Sequence, residues 1–331
     1  MLLQQYAQLR LEADAEQFDK TAGRHAHYYA DWLAERGGWM NDSRQRAAFN
    51  LVELELDNLR KAWEWLIKTE ALETLEKLLQ PLCSFGVARH IGFPLSDWFE
   101  QGILQLADRA THRLLYVKML VGYVALLSIY NVKQKGQRRE SVQLAWTLLE
   151  EHQLHEPLGT WLSVLGLNYA WSFDVAEGTV MVERAHQLAV AANDVDAQAM
   201  AAHFLGELNQ LVGNIAAAEQ YYTEATSLFS TRQNSLRLAY LHDDLAFLMT
   251  HRGDYRAGIG HLQEAKRLME KLDNPLGAAY MMHDMGHVAD SAGNYGEAFG
   301  YFREARQRVA ARGEKVKMAG SLSFESIALS R

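Results

Sequence analysis

The stretch LGELNQLVGNIAAAEQYYTEA, residues 205–225, decides the fold of this chain because its pattern recurs twice downstream. Its turn tripeptide Gly213-Asn214-Ile215 returns as Gly253-Asp254-Tyr255 and again as Gly293-Asn294-Tyr295. Each step is 40 residues (253 − 213 and 293 − 253). A fixed period of about 20–50 residues is typical of a solenoid built by stacking one supersecondary unit. The sequence therefore predicts an array of like units.

Two amphipathic segments flank each of these turns, which predicts a pair of antiparallel helices in every unit. In the fourth unit, helix A would occupy residues 239–251 and helix B residues 255–271. Glycine at the junction suits the left-handed residue that closes a helix.

Small residues recur where the two helices of a unit should approach most closely, and a large residue recurs beside them. The small positions are Gly206, Ala218, Ala246, Gly258, Gly286 and Ala298. The large positions are Tyr222, Leu262 and Phe302. This alternation resembles the tetratricopeptide repeat, whose usual period is about 34 residues. The resemblance implies an all-α, right-handed superhelical solenoid of antiparallel helix pairs, with longer helices than usual.

Composition narrows the class of protein. The chain has 331 residues, of which 49% are hydrophobic and only 4 are proline, which favours a large helical core. A net charge of −8 and the lack of a basic stripe argue against direct nucleic-acid binding. The sequence contains no apolar run long enough for a membrane span. Cys83 is the single cysteine, so we expect a buried thiol in a cytoplasmic protein, with no internal disulfide.

The chain divides into two predicted parts. Residues 1–110 would form degenerate helical pairs, the N-terminal part of the array, and residues 111–331 five 40-residue repeats plus a terminal helix. In the first part we expect helices over residues 1–20, 24–36, 44–68, 72–88 and 96–108, the last capped by Ser96.

Three motifs in the N-terminal third resemble those of a known family. They are His25-Ala26-x-Tyr28-Tyr29, Glu55-x-x-Asn58-Leu59-Arg60-x-Ala62-x-x-Trp65 and Trp98-Phe99-Glu100. They are similar to the region that follows the NTPase and winged-helix parts of bacterial STAND-type signal-transduction ATPases. These include LuxR-type and antibiotic-regulatory-protein relatives of the maltose activator, in which a tetratricopeptide array follows as the sensor.

The resemblance implies a sensor arm whose partners are the NTPase and DNA-binding domains of a longer parent chain. The sequence itself has no G-x-x-x-x-G-K-[ST] phosphate loop and no recognisable winged helix. We therefore expect an excised sensor arm of a cytoplasmic bacterial signalling and transcription regulator. A sixth helix A would begin near Gly320 and lack its helix B.

The inner face of such a superhelix is expected to be lined by helix A. Counting Gly206 as the eighth position of its unit, the second, fifth, ninth and twelfth positions should face the groove. The candidate ligand- or partner-binding residues are His203, Glu207, Gln210, Tyr240, Asp243, Phe247, Tyr280, His283, His287 and Asp290. Apolar anchors mixed with a few polar groups suit a peptide, protein or small-molecule effector.

Three of these residues raise a further alternative. His283, His287 and Asp290 stand at i, i+4 and i+7, on one face of a helix, as metal ligands do. We nevertheless assign no metal, no cofactor and no catalytic residue, because no catalytic motif appears in the sequence. The rival readings are a freestanding protein–protein interaction scaffold and, less favoured, a metal-dependent enzyme that uses this face.

Overall fold

A computed structural model describes residues 15–106, 112–128 and 135–310, which form helices joined by short turns and contain no strand. The helices are α1 (Ala15–Gly37), α2 (Gln45–Leu54), α3 (Leu56–Lys68), α4 (Leu72–Arg89), α5 (Gly92–Leu106), α6 (Arg113–Ser128), α7 (Lys135–His152), α8 (His155–Leu158), α9 (Thr160–Ser172), α10 (Val175–Ala191), α11 (Val195–Leu211), α12 (Ile215–Arg232), α13 (Ser235–His251), α14 (Tyr255–Lys271), α15 (Pro275–Ser291) and α16 (Tyr295–Ala310). A short 3₁₀ helix, Gly38–Asn41, follows α1.

The predicted all-α array of helix pairs is confirmed. The pairs α11/α12, α13/α14 and α15/α16 begin at residues 195, 235 and 275, steps of 40 residues. The first two pairs are α6/α7 and α9/α10. The terminal helix expected near Gly320 lies outside the described residues.

The turn residues adopt the backbone that their sequence predicts. Gly213, Gly253 and Gly293 have φ of 79°, 77° and 79°, a left-handed conformation that glycine adopts without strain. The next residue then opens helix B: the Asp254 carboxylate accepts a hydrogen bond from the backbone N–H of Ala257 at 3.0 Å. This cap satisfies one of the four backbone donors that a helix start leaves unpaired.

The predicted register of small and large residues is also confirmed. A Cβ atom on Gly206 would collide with the ring of Tyr222, and one on Gly286 would lie 2.5 Å from Cε1 of Phe302. Both rings are 1% exposed. Helices A and B of these units are thus held close by glycine on one side and an aromatic ring on the other.

Gly159 interrupts helix A of the second pair, which the sequence analysis did not foresee. Its φ of 58° separates the one-turn helix α8 from α9.

The Cys83 prediction is confirmed: the thiol is buried in α4, and burial raises its pKa.

Three predicted helix boundaries in the N-terminal part are wrong. Helix α1 continues through residues 21–23, where a break was expected. The helix expected over residues 44–68 is broken at Glu55, whose carboxylate accepts hydrogen bonds from the Tyr29 hydroxyl (2.8 Å) and the Asn58 amide (2.6 Å). Helix α5 begins at Gly92, so Ser96 lies inside it, 1% exposed, and does not cap it.

The N-terminal helices contact the starts of helices A late in the array. The Asn274 side chain donates to the carbonyl of Ala88 at 2.6 Å, and Arg89 donates to the carbonyl of Asp273 at 2.9 Å. Gln45 donates to the side chain of Asn234 at 2.7 Å. The end of α4 therefore meets α15 across more than half of the chain. Among the described helices, none is long and apolar enough to span a membrane.

Candidate ligand-binding groove

Helices A form the inner face of the array. Helix α11 contacts α9 and α13, and α13 contacts α15, in addition to the contacts of each with its own helix B. Stacked repeats approach most closely on the concave side, so side chains at equivalent positions of these helices share one surface.

His203 was expected to line this surface, but it is only 3% exposed. Its Nε2 lies 2.5 Å from Oδ2 of Asp244, a residue that the sequence analysis did not select. The rings of Phe204, Tyr222 and Phe229 surround the imidazole, with centroids 5.8–6.2 Å away. The groove assignment of His203 is therefore wrong, because this histidine belongs to the core.

Two other candidates contact the chain's own N-terminal part. The hydroxyl of Tyr240 donates to the carbonyl of Val87 at 3.5 Å. The ring of Tyr280 lies 5.0 Å from that of His90, whose pKa burial lowers to about 4. The end of helix α4 and His90 thus cover the edge of the inner face near the starts of α13 and α15. The part left for a ligand lies further along α9, α11, α13 and α15.

Gln210 on α11 contacts helix B of its own unit, because its side-chain oxygen accepts a hydrogen bond from the Tyr222 hydroxyl on α12 at 2.8 Å. Phe247 is 38% exposed.

Carboxylates are concentrated in the middle of the inner face. Burial, and secondarily the charge of Asp244, raises the pKa of Glu207 to about 8, while a hydrogen bond from Trp171 acts in the opposite direction. Burial also raises the pKa of Asp243 well above its ordinary value, and the charges of Asp284, Asp244 and Glu207 add to this effect. The inner face therefore disfavours further negative charge and is complementary to a cation.

The two predicted histidines of α15 lie together, but with a different acid. The rings of His283 and His287 are 4.5 Å apart, and both contact Phe302. Nδ1 of His283 lies 3.3 Å from Oδ1 of Asp284. Potential ligand atoms of His283, Asp284 and His287 all lie within 4.8 Å of one another, a group that does not include Asp290. The group that the structure brings together thus contains Asp284, where the alternative weighed from the sequence had Asp290.

A cleft of about 560 Å³ adjoins Glu207, and sequence reasoning largely missed it. It is lined by Ser128, Arg138, Arg139, Leu167, Asn168, Trp171, Ser172 and Glu207. The indole of Trp171 is 54% exposed in this cleft. By the same counting, Ala170 is the twelfth position of the second unit, and Trp171 directly follows it, which was the one sequence signal for this residue. Arginine, carboxylate and an exposed aromatic ring together offer both charge-assisted hydrogen bonds and an apolar anchor.

No protein-family model matches the sequence, and no curated protein matches it. Several solved structures have a similar fold. One is a Rap protein complexed with competence and sporulation factor. The match covers 94% of this chain and 86% of the Rap chain, with TM-score 0.60 and 11% identity. Aspartyl phosphate phosphatase F from Bacillus subtilis matches 91% of this chain and 74% of its own, with TM-score 0.56 and 16% identity.

A third similar structure is a STAND protein from Pyrococcus horikoshii with a tetratricopeptide repeat sensor. It matches 87% of this chain and 50% of its own, with TM-score 0.50 and 12% identity. At these identities the likeness is one of fold. The chain has the fold of tetratricopeptide-like helical solenoids.

Proposed function

We propose that this chain is a recognition module that binds a peptide or protein segment along its inner face. The proposed site begins at the Trp171 cleft and continues across the open part of helices α11, α13 and α15. Its residues are Trp171, Glu207, Asp243, Phe247, His283, His287 and Asp290. We propose no catalytic role for the chain.

One observation carries this proposal: the exposed indole of Trp171 lies in a cleft between Arg138 and Arg139 on one helix and Glu207 on another. A large aromatic side chain that is 54% exposed gives up apolar burial that would otherwise stabilise the fold. Buried aromatic and arginine anchors dominate the binding energy of protein interfaces, particularly when they lie in a pocket. The cleft therefore has the composition of an anchor site for one ligand side chain.

The rest of the inner face would position the ligand. Phe247 offers a second exposed ring, and Glu207 and Asp243 would attract a cationic group. Equivalent positions of stacked helices form a continuous strip, which suits an extended segment better than a compact small molecule.

We further propose that the chain is the sensor arm of a cytoplasmic bacterial signalling and transcription regulator. In this proposal, its NTPase and DNA-binding domains lie on a longer parent chain, and the boundary near residue 110 separates the linking part from the sensor repeats. The three N-terminal motifs and the fold of the STAND neighbour support it. In the motif region, Tyr29, Glu55 and Asn58 form one hydrogen-bonded cluster at the break between α2 and α3.

The experiment is a selection of binders from a library of short random peptides, followed by hydrogen-exchange mapping on the 331-residue chain. EDTA is present throughout, so that metal ions play no part. We expect the selected peptide to slow exchange in α9, α11 and α13. Protection confined to the outer helices α10, α12 and α14, or failure to select any specific binder, would count against the inner face as the site.

A further inference from the structure

Two carboxylates occupy adjacent repeats at positions that face each other. His203 and Asp244 are 41 residues apart (244 − 203), and their side chains meet at 2.5 Å. Asp243 and Asp284 have the same separation (284 − 243), one repeat later. Because the repeat is regular, we expect the Asp243 carboxylate to face that of Asp284 in the same way, and the charge of Asp284 does act on Asp243. Where the first pair combines a nitrogen with an oxygen, the second combines two acidic groups.

The second pair leaves one buried oxygen atom without a partner. Oδ1 of Asp243 is buried and has no hydrogen-bond partner among the described residues. A buried acceptor without a partner costs about 1–3 kcal/mol, and a charged one costs more. A cation between the two carboxylates would remove this cost.

The nitrogen ligands for such a cation lie on the same helix as Asp284, in His283 and His287. His283 and His287 are at i and i+4 on α15, with their rings 4.5 Å apart. Atoms of His283, Asp284 and His287 lie within 4.8 Å of one another, and all three side chains are partly buried. Two imidazoles with carboxylate oxygens are a ligand set that zinc and its neighbours in the first transition series accept in proteins.

We propose that His283, Asp284 and His287, with Asp243 as the fourth ligand, bind one divalent transition-metal ion of the zinc type. The ion would join α13 to α15 on the inner face and neutralise the two facing carboxylates. This inference departs from the expectation of no metal, and it replaces Asp290 with Asp284 and Asp243. It does not depend on peptide binding.

The test is a calorimetric titration of the untagged 331-residue chain with Zn²⁺ after treatment with a chelator, with Co²⁺ as the spectroscopic probe. We expect one tightly bound ion per chain and visible Co²⁺ absorption typical of nitrogen and oxygen ligation. Loss of a residue that merely supports a metal ligand costs about 10–100-fold in affinity. Asp243→Asn and His287→Ala should therefore each weaken Zn²⁺ binding at least about tenfold.

Two variants serve as controls. Asp290→Asn should keep the wild-type affinity, because Asp290 is not one of the four proposed ligands. His261→Ala should also keep the wild-type affinity. This variant tests a second close pair of histidines, His242 and His261, whose Nδ1 atoms lie 3.0 Å apart. Circular dichroism checks the fold of each variant, and Asp243→Asn, which is isosteric, decides the case if His287→Ala does not fold.

Three results would overturn the proposal. The first is a wild-type chain that takes up neither Zn²⁺ nor Co²⁺. The second is wild-type affinity in either folded variant, Asp243→Asn or His287→Ala. The third is loss of binding in His261→Ala.

Discussion

Substituting Gly286 with alanine tests the packing of helix A against helix B. A Cβ atom at this position would lie 2.5 Å from Cε1, 2.7 Å from Cδ1 and 2.8 Å from Cζ of Phe302. The ring is 1% exposed and also contacts His283 and His287, so it has no open space into which to move. The added methyl group must push the helices apart or force the ring out of place.

Two opposing effects set the magnitude. Carbon atoms in favourable contact are about 3.5–4.0 Å apart, so relief requires a shift of about 1 Å. Overpacking of this kind typically costs about 1–3 kcal/mol. Alanine, by contrast, gains up to about 1 kcal/mol over glycine in a helix interior. We therefore expect Gly286→Ala to lower the free energy of unfolding by about 1–2 kcal/mol.

The matched control is Gly260→Ala. Gly260 lies within α14, is exposed, and has no atom within 4 Å of the position of an added Cβ. There only the helix preference acts, so the variant should gain about 0.5–1 kcal/mol. The measurement is urea unfolding followed by circular dichroism. A Gly286→Ala variant as stable as Gly260→Ala would refute the assigned register of small and large residues.

Three further predictions concern the site, the repeat turn and nucleotide binding. Burial raises the pKa of Glu207 from 4.5 to about 8, so the folded state holds the proton of this carboxyl more tightly than the unfolded state does. The resulting stabilisation is fully present below pH 4.5 and is lost as pH rises through 8. The free energy of unfolding of Glu207→Gln relative to wild type should thus increase between pH 5.5 and 8.5, by up to about 3 kcal/mol in urea unfolding; a pH-independent difference would contradict this environment for Glu207. Asp254→Ala should cost about 1 kcal/mol through the lost helix cap, whereas Asp254→Asn should cost much less; equal melting temperatures for the two variants would count against the cap. Calorimetry should detect no ATP binding, because the sequence has no phosphate loop, and micromolar binding would contradict the sensor-arm assignment.

The repeat could be predicted because it depends on contacts that are close in sequence. Gly206 and Tyr222 meet within one unit, and the turn glycines act through their own backbone. The period of 40 residues repeats these local signals, so each copy supports the interpretation of the others.

The rest depends on contacts between distant parts of the chain. The break at Glu55 coincides with a hydrogen bond to its carboxylate from Tyr29, 26 residues earlier in the chain. His203 can be buried because the carboxylate of Asp244, in the next repeat, pairs with its imidazole. Tyr240 is covered because its hydroxyl contacts the carbonyl of Val87 in the N-terminal part. Helical spacing identifies which face a residue occupies, but not what packs on that face. Only the regular spacing of 41 residues could have signalled the importance of Asp244 and Asp284.

The most direct test of the proposed recognition site is the dissociation constant of the selected peptide for Trp171→Ala, compared with Val180→Ala. Val180 is 64% exposed on the outer helix α10, so its truncation should leave the affinity within about threefold of wild type. Removal of an aromatic anchor typically costs at least about 2 kcal/mol, or roughly 30-fold in affinity. The account predicts a loss of that size for Trp171→Ala with the helical content unchanged. Equal affinity of wild type and Trp171→Ala for the peptide would contradict it.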